Sequence, residues 1–96
     1  MVEVREMPRF RAWRLSLRDL RARDRIAARI RRLELGNPGD VRPVGEGVFE
    51  LRIHWGPGYR IYCVNRSRRV VVPLAGGDKR SQAADIQDAI QLARAI

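Results

Sequence analysis

The stretch from Gly47 to Asn65, G-V-F-E-L-R-I-H-W-G-P-G-Y-R-I-Y-C-V-N, decides the fold. It contains two runs in which apolar and polar residues alternate, and the Gly56-Pro57-Gly58 turn joins them. This pattern predicts a β-hairpin, because strands that are buried on one face alternate with a period of two. The rest of the chain must supply the layers that cover this hairpin.

The register of the hairpin follows from the requirement that both strands turn their apolar side chains to one core. The pairing that also fits the turn places Arg52 opposite Arg60 and Glu50 opposite Tyr62. Two arginines that face each other on one surface repel. We therefore expect an anionic partner at this pair, and the alternative is two solvated arginines that splay apart.

Two amphipathic helices are predicted before the hairpin, after a short strand within residues 1–7. Pro8 suits the first turn of a helix, and Gly36 suits the end of the second helix, which we place at about Ala22 to Leu35. The inward stripes are Phe10, Trp13, Leu17 and Leu20 in the first helix, and Ile26, Ile30 and Leu33 in the second. Arginines that include Arg25, Arg29 and Arg32 are predicted to face outward.

On either side of the hairpin we predict an edge strand and a central strand. Residues 40–47 contain Pro43, which only an edge strand tolerates, whereas Val70 to Ala75 is almost continuously apolar, as in a covered strand. Ser81 is the predicted N-cap of a last helix, whose inward stripe is Ile86, Ala89, Ile90 and Ala93 and whose water-facing residues are Gln82, Asp85 and Asp88.

These elements predict a single α+β domain over residues 1–96. An N-terminal strand and a two-helix hairpin pack on a mostly antiparallel sheet of four to five strands, and a helix follows at the C-terminus.

The charge of the chain indicates a polyanionic partner. Its net charge is +9, and 19 of its 20 basic residues are arginine. Nucleic acid is the first expectation, an acidic protein the second and an anionic membrane surface the third. Helices that carry many arginines can bind the backbone of a nucleic acid. The residues expected to contact an RNA backbone are Arg14, Arg18, Arg25 and Arg29. A source organism that prefers arginine everywhere would weaken this inference.

Other function classes have little support in the sequence. One histidine and one cysteine, Cys63, argue against a zinc site and exclude an internal disulfide. No Walker, dinucleotide or serine-hydrolase motif occurs, so no cofactor and no metal are expected. There is no apolar run of about 18 residues, and the expected location is the cytoplasm.

A candidate site remains on the polar face of the hairpin. Arg52 and Arg60 lie there, and the apolar strand can deliver Lys79 and Arg80 beside them, where a following helix N-terminus also favours anions. Such a cluster would bind a phosphodiester and stabilise its transition-state charge. His54 lies on the same face and could move protons, although a single histidine at a hairpin tip is more often structural.

The chain resembles the RelE/ParE toxin superfamily, and within it the short HigB-like "addiction module killer" group. The matching segments are Glu50-Leu51-Arg52-Ile53, Gly56-Pro57-Gly58-Tyr59-Arg60-Ile61-Tyr62 and Gly76-Gly77-Asp78-Lys79, followed by Gln82, Asp85 and Ile86. The resemblance covers nearly the whole chain and implies a microbial-RNase-like fold with its active site on the sheet.

The resemblance also implies an activity: ribosome-dependent cleavage of mRNA by attack of a 2′-hydroxyl on the adjacent phosphate. Arg60 would contact the scissile phosphate and Arg52 would lie beside it, while Lys79 or Arg80 would supply the basic loop. Some RelE proteins have a lysine at the position of Glu50 and a tyrosine in the last helix, which this chain lacks. The general acid and base would then come from Tyr62, Glu50 or His54.

The partners implied by the resemblance are a cognate antitoxin, mRNA on the ribosome, and operator DNA only through the antitoxin complex; no membrane is expected. Two alternatives stay open. One is a ParE-like inhibitor of DNA gyrase without nuclease activity, since one fold serves both functions. The other is a non-catalytic nucleic-acid-binding or co-repressor partner, which would show a steep salt dependence and no cleavage.

Overall fold

The computed structural model describes residues 1–96. The strands are β1 (Glu3–Val4), β2 (Val41–Gly45), β3 (Val48–Ile53), β4 (Tyr59–Ser67) and β5 (Val70–Asp78), and the helices are α1 (Pro8–Ser16), α2 (Leu20–Glu34) and α3 (Gln82–Arg94). A short 3₁₀ turn, Lys79–Ser81, links β5 to α3. The predicted α+β architecture, with its N-terminal strand, helical hairpin and C-terminal helix, is confirmed.

The five strands form one mixed sheet in the order β1-β5-β4-β3-β2. Only the β1–β5 pair is parallel. As predicted, β2 with Pro43 lies at an edge, and β5 is internal. The hairpin register is also confirmed, because Arg52 pairs with Arg60 and Glu50 with Tyr62. The five-residue connection from 54 to 58 is possible because Gly56 and Gly58 both adopt positive φ angles.

Helices cover both faces of the sheet. Helices α1 and α2 bury one apolar face, in a cluster that includes Phe10, Ile26, Leu51 and Ile61. Helix α3 packs on the other face, where Ala89 and Ile90 meet a cluster with Val48, Tyr62 and Leu74. The polar residues of the hairpin share the α3 face, so that face carries both core and site. Cys63 is buried.

The junction between α1 and α2 differs from the prediction. Helix α1 ends at Ser16, and Leu20, assigned to its inward stripe, begins α2 and is 67% exposed. The cause is Asp19, whose carboxylate accepts hydrogen bonds from the backbone N–H groups of Arg21 and Ala22 at 2.9 and 3.4 Å. This N-cap starts a new helix and turns the chain.

The connection from β5 to α3 contains a turn that was not predicted. Ser81 is the N-cap residue of α3, as predicted, but its side chain makes no capping hydrogen bond to that helix. Asp78 caps the preceding 3₁₀ turn: its carboxylate accepts a hydrogen bond from the backbone N–H of Arg80 at 2.8 Å, and the Ser81 hydroxyl lies 3.4 Å from the Asp78 backbone nitrogen. Strand β5 extends through Gly76 and Gly77, and neither position has room for a side chain. A Cβ atom on Gly77 would lie 1.9 Å from an Asp85 carboxylate oxygen.

None of the three helices combines the length and the hydrophobicity that a membrane-spanning helix requires.

Candidate functional site

The two facing arginines of the hairpin share a buried carboxylate. Glu50 is fully buried, and its Oε1 atom lies 3.0 Å from Arg52 Nε and 3.5 Å from Arg60 Nη1. The expected anionic partner of the pair is therefore present within the chain itself. This carboxylate screens the repulsion between the two guanidinium groups and fixes both on one face of the sheet.

Helix α3 completes this arrangement through Gln82. Its side-chain amide donates to Glu50 Oε2 at 2.8 Å, so the prediction that Gln82 faces water is wrong. Asp85 is half-buried and accepts a hydrogen bond from the Ser81 hydroxyl. Both oxygens of Glu50 thus have donors, which offsets the cost of burying its charge.

A cleft of about 540 Å³ opens above this buried carboxylate. Its cationic side chains are Arg42, Arg52, Arg60 and Lys79, and no carboxylate residue lines it. The hairpin tip forms one wall and Gln82 lies in another. A concave site with four cations and no lining anion attracts a polyanion and excludes water from part of each contact.

Lys79 and Arg80, which the sequence left as alternatives for the basic loop, have different positions in the structure. Lys79 lines the cleft, whereas Arg80 does not. The Arg80 side chain is 84% exposed and pairs with Asp78 at 3.1 Å. The hydrogen bond from Arg80 lowers the pKa of the Asp78 carboxyl, and the same bond raises the pKa of Arg80.

Arg42 is a member of the cleft that sequence reasoning missed. It pairs with Glu50 across β2 and β3, so its side chain belongs to the same face as the arginine pair. The alternation of residues around Pro43 is the sequence feature that could indicate the face on which Arg42 lies. It did not allow that prediction, because a register shift between Pro43 and Gly45 makes the β2–β3 pairing irregular.

His54 lies at the rim of the cleft and has an acidic partner. Its Nε2 atom is 2.7 Å from Asp40 Oδ2, and its side chain is 76% exposed. The hydrogen bond from His54 lowers the pKa of the Asp40 carboxyl. Asp40 was not predicted as a site residue. No local pattern reveals it, because it lies 14 residues away in the chain, at the end of a Gly-Asn-Pro-Gly turn.

The other two residues considered for proton transfer are buried. Tyr62 has no exposed surface, and its hydroxyl has no hydrogen-bond partner. Burial raises the pKa of this phenol, and the negative charge of Glu50 raises it further. Glu50 itself contacts Arg52, Arg60 and Gln82 rather than the open cleft. Of the three, His54 alone is open to solvent.

The four arginines proposed as backbone contacts have different environments, and Arg18 lies in the connection between α1 and α2. Arg18 is exposed. Arg14 makes a double hydrogen bond with Glu6, at 2.7 and 2.9 Å, which raises the pKa of its guanidinium. Arg25 lies over the Trp55 ring, 3.9 Å from its centroid.

Arg29 contradicts the prediction that it faces outward. It is 7% exposed and donates to the backbone carbonyls of Pro38, Asp40 and Arg52. Burial lowers the pKa of its guanidinium, and the nearby charge of Arg32 lowers it further. This side chain ties α2 to the start of β2 and the end of β3, and so it positions the backbone of Asp40.

Comparison with known proteins places the chain in a family. A model of the family described as "Phage derived protein Gp49-like (DUF891)" matches residues 14–95. The chain belongs to the Gp49-like family. That family is associated with toxin–antitoxin modules. The chain is also 43% identical, over 95 residues, to an uncharacterized protein of Haemophilus influenzae (strain ATCC 51907 / DSM 11121 / KW20 / Rd).

That similarity covers 99% of this chain and 96% of the relative, so it includes every element that builds the cleft. No solved structure matches the chain. The described residues contain no group of three or more histidine, cysteine, aspartate or glutamate side chains that could hold a metal ion.

Proposed function

We propose that this Gp49-like protein is the toxin of a type II toxin–antitoxin module and that it cleaves mRNA at the cationic cleft. The observation that carries the proposal is the cleft itself, in which Arg42, Arg52, Arg60 and Lys79 converge with no lining carboxylate. A protein whose only task was to bind a neutral surface would not need this arrangement. A phosphodiester fits it, because arginine presents donors that match phosphate oxygens.

The proposed reaction is attack of an RNA 2′-hydroxyl on the adjacent phosphorus. The O2′–P bond forms as the 2′-hydroxyl loses its proton, and the P–O5′ bond breaks as O5′ gains one, which leaves a 2′,3′-cyclic phosphate and a 5′-hydroxyl. Negative charge accumulates on the non-bridging oxygens in the transition state. Arg60 and Arg52, both held by Glu50, are preorganised to stabilise that charge, and Lys79 adds a third cation from the end of β5.

His54 is the proposed proton-transfer residue. Of the three candidates it is the one exposed to solvent, and its Nε2 atom is bonded to Asp40 while Nδ1 has no partner. A carboxylate in this position orients the imidazole ring and fixes which of its nitrogens is free to face a substrate. Glu50 and Tyr62 are assigned supporting roles: Glu50 positions the two arginines, and Tyr62 packs beneath them.

The partners proposed for this activity follow from the family and the charge. The association of the Gp49-like family with toxin–antitoxin modules suggests an antitoxin partner, and the resemblance to RelE/ParE toxins extends this to cleavage of mRNA on the ribosome. An antitoxin that neutralises the cleft would place acidic residues against it. Operator DNA would be contacted only through the complex, and the place of action would be the cytoplasm.

A growth assay with matched variants tests the proposal. Expression of the wild-type chain is expected to arrest growth, and Arg60→Ala is expected to abolish the arrest while Arg60→Lys retains part of it. Arg69→Ala is the control, because Arg69 is an exposed arginine in the β4–β5 turn with no ion pair. Thermal unfolding of each variant separates loss of activity from loss of fold. Full toxicity of a folded Arg60→Ala variant would refute the site.

A further inference from the structure

A second basic groove adjoins the cleft on the side of helix α2. It has a volume of about 350 Å³ and lies between α2 and the end of β3. Arg52 and His54 line both the groove and the cleft, so the two concavities are continuous at these residues. Apart from these two shared residues, the groove has no role in the reaction proposed above. Like the cleft it is lined by four cations, but it also contains one carboxylate, Asp40.

Some of the charged groups that face this groove already have hydrogen-bond partners within the chain, and others do not. The guanidinium of Arg29 is used by three backbone carbonyls, and the Asp40 carboxylate is bonded to His54. Arg32 is exposed and makes no hydrogen bond or ion pair through its side chain. Arg25 is exposed as well, and its stacking on Trp55 restricts its orientation. Two cations are therefore available to a ligand.

The spacing of these two cations suits an extended polyanion. Arg25 and Arg32 are seven residues apart, which places them on one face of α2, separated by about 10 Å along its axis. A compact anion would contact one of them. A chain of phosphates that leaves the cleft past His54 would contact both.

We propose that the α2 groove binds the sugar-phosphate backbone that flanks the cleaved bond, so that one single strand of RNA occupies the cleft and the groove together. This inference rests on the proposed function and extends it, because it requires a substrate longer than the cleft. The cleft holds the reacting phosphate, and Arg25 and Arg32 hold phosphates farther along the same strand.

The test compares two labelled RNA probes by fluorescence anisotropy. One is a heptanucleotide with 2′-O-methyl groups, which blocks attack by the 2′-oxygen, and the other is a dinucleotide with one phosphodiester, which cannot fill both sites. We expect Arg32→Ala to weaken heptanucleotide binding about 5- to 10-fold and dinucleotide binding less than 2-fold. The slope of log affinity against log salt for the heptanucleotide should fall by about 0.7.

Arg69→Ala is again the matched control, since it removes the same charge at the opposite end of β4. It is expected to change the affinity for either probe less than 2-fold. The inference is overturned if Arg32→Ala behaves like Arg69→Ala, or if it weakens both probes equally. Either result would leave the proposed function standing as long as Arg60→Ala still abolishes growth arrest, so the two failures are distinguishable.

Discussion

The two ends of the sheet carry similar residues in different surroundings. At the hairpin end, Arg52 and Arg60 flank a fully buried Glu50 and line a cleft. At the other end, the last residues of β4 and the β4–β5 turn carry Arg66, Arg68 and Arg69, which are all exposed and form no ion pair. Both ends are basic, but only the first holds its arginines in fixed positions. A buried carboxylate, rather than the number of cations, distinguishes a candidate site from a solvated surface.

The largest expected effect comes from removing that carboxylate charge. Glu50→Gln keeps the shape of the side chain but leaves Arg52 and Arg60, which are both mostly buried, without their anion. We expect the free energy of unfolding to fall by about 3 kcal/mol, as measured by urea denaturation at pH 7.

The control for this variant is Asp88→Asn, which breaks the exposed Arg9–Asp88 ion pair. A pair of this kind is worth at most about 1 kcal/mol. If Glu50→Gln costs no more than Asp88→Asn, the carboxylate does not hold the arginine pair, and the contrast between the two ends of the sheet disappears.

The second prediction tests which of two neighbouring basic residues, Lys79 or Arg80, belongs to the site at the hairpin end. Lys79→Ala is expected to lower the rate of mRNA cleavage about 100-fold, because it removes a cation that stabilises the transition state. Arg80→Ala is expected to change the rate less than 2-fold, because Arg80 pairs with Asp78 outside the cleft. The rates would be measured in a translation reaction that contains a defined message. The opposite order of effects would place the basic contact at Arg80.

The smallest expected effect concerns the rim of the site. His54 lowers the pKa of Asp40, so His54→Ala should raise that pKa toward the ordinary range of about 3.9. Because the folded pKa is the lower one, the stability that this interaction contributes is present above the unfolded pKa and is lost as the pH falls through the folded pKa. NMR titration of the Asp40 carboxyl carbon measures the shift. An unchanged pKa would show that the His54–Asp40 contact does not persist in solution.

Much of the hairpin could be predicted from sequence, because two local constraints fix it. The Gly56-Pro57-Gly58 turn sets where the strands meet, and the alternation of apolar residues sets which side each faces. Together they placed Arg52 opposite Arg60, as observed. Pro43 likewise predicted that β2 lies at an edge of the sheet, and a continuous apolar run predicted that β5 is buried.

The parts that escaped prediction depend on contacts between distant segments. Gln82 reaches Glu50 across 32 residues, and the helical pattern alone placed it in water. Arg29 fits the outward stripe of α2, but its guanidinium turns inward and donates to three backbone carbonyls. Sequence patterns report which face is apolar. They do not report where a buried polar group finds its partner.

The most direct test of the proposed nuclease is to map the 5′ ends of cellular mRNA after brief induction of the wild-type chain and of Arg60→Ala. We expect new 5′-hydroxyl ends inside translated frames with the wild type, and none with the variant. Growth arrest with intact messages would contradict it. The target would then be a protein such as DNA gyrase, and the cationic cleft would serve to bind a protein partner.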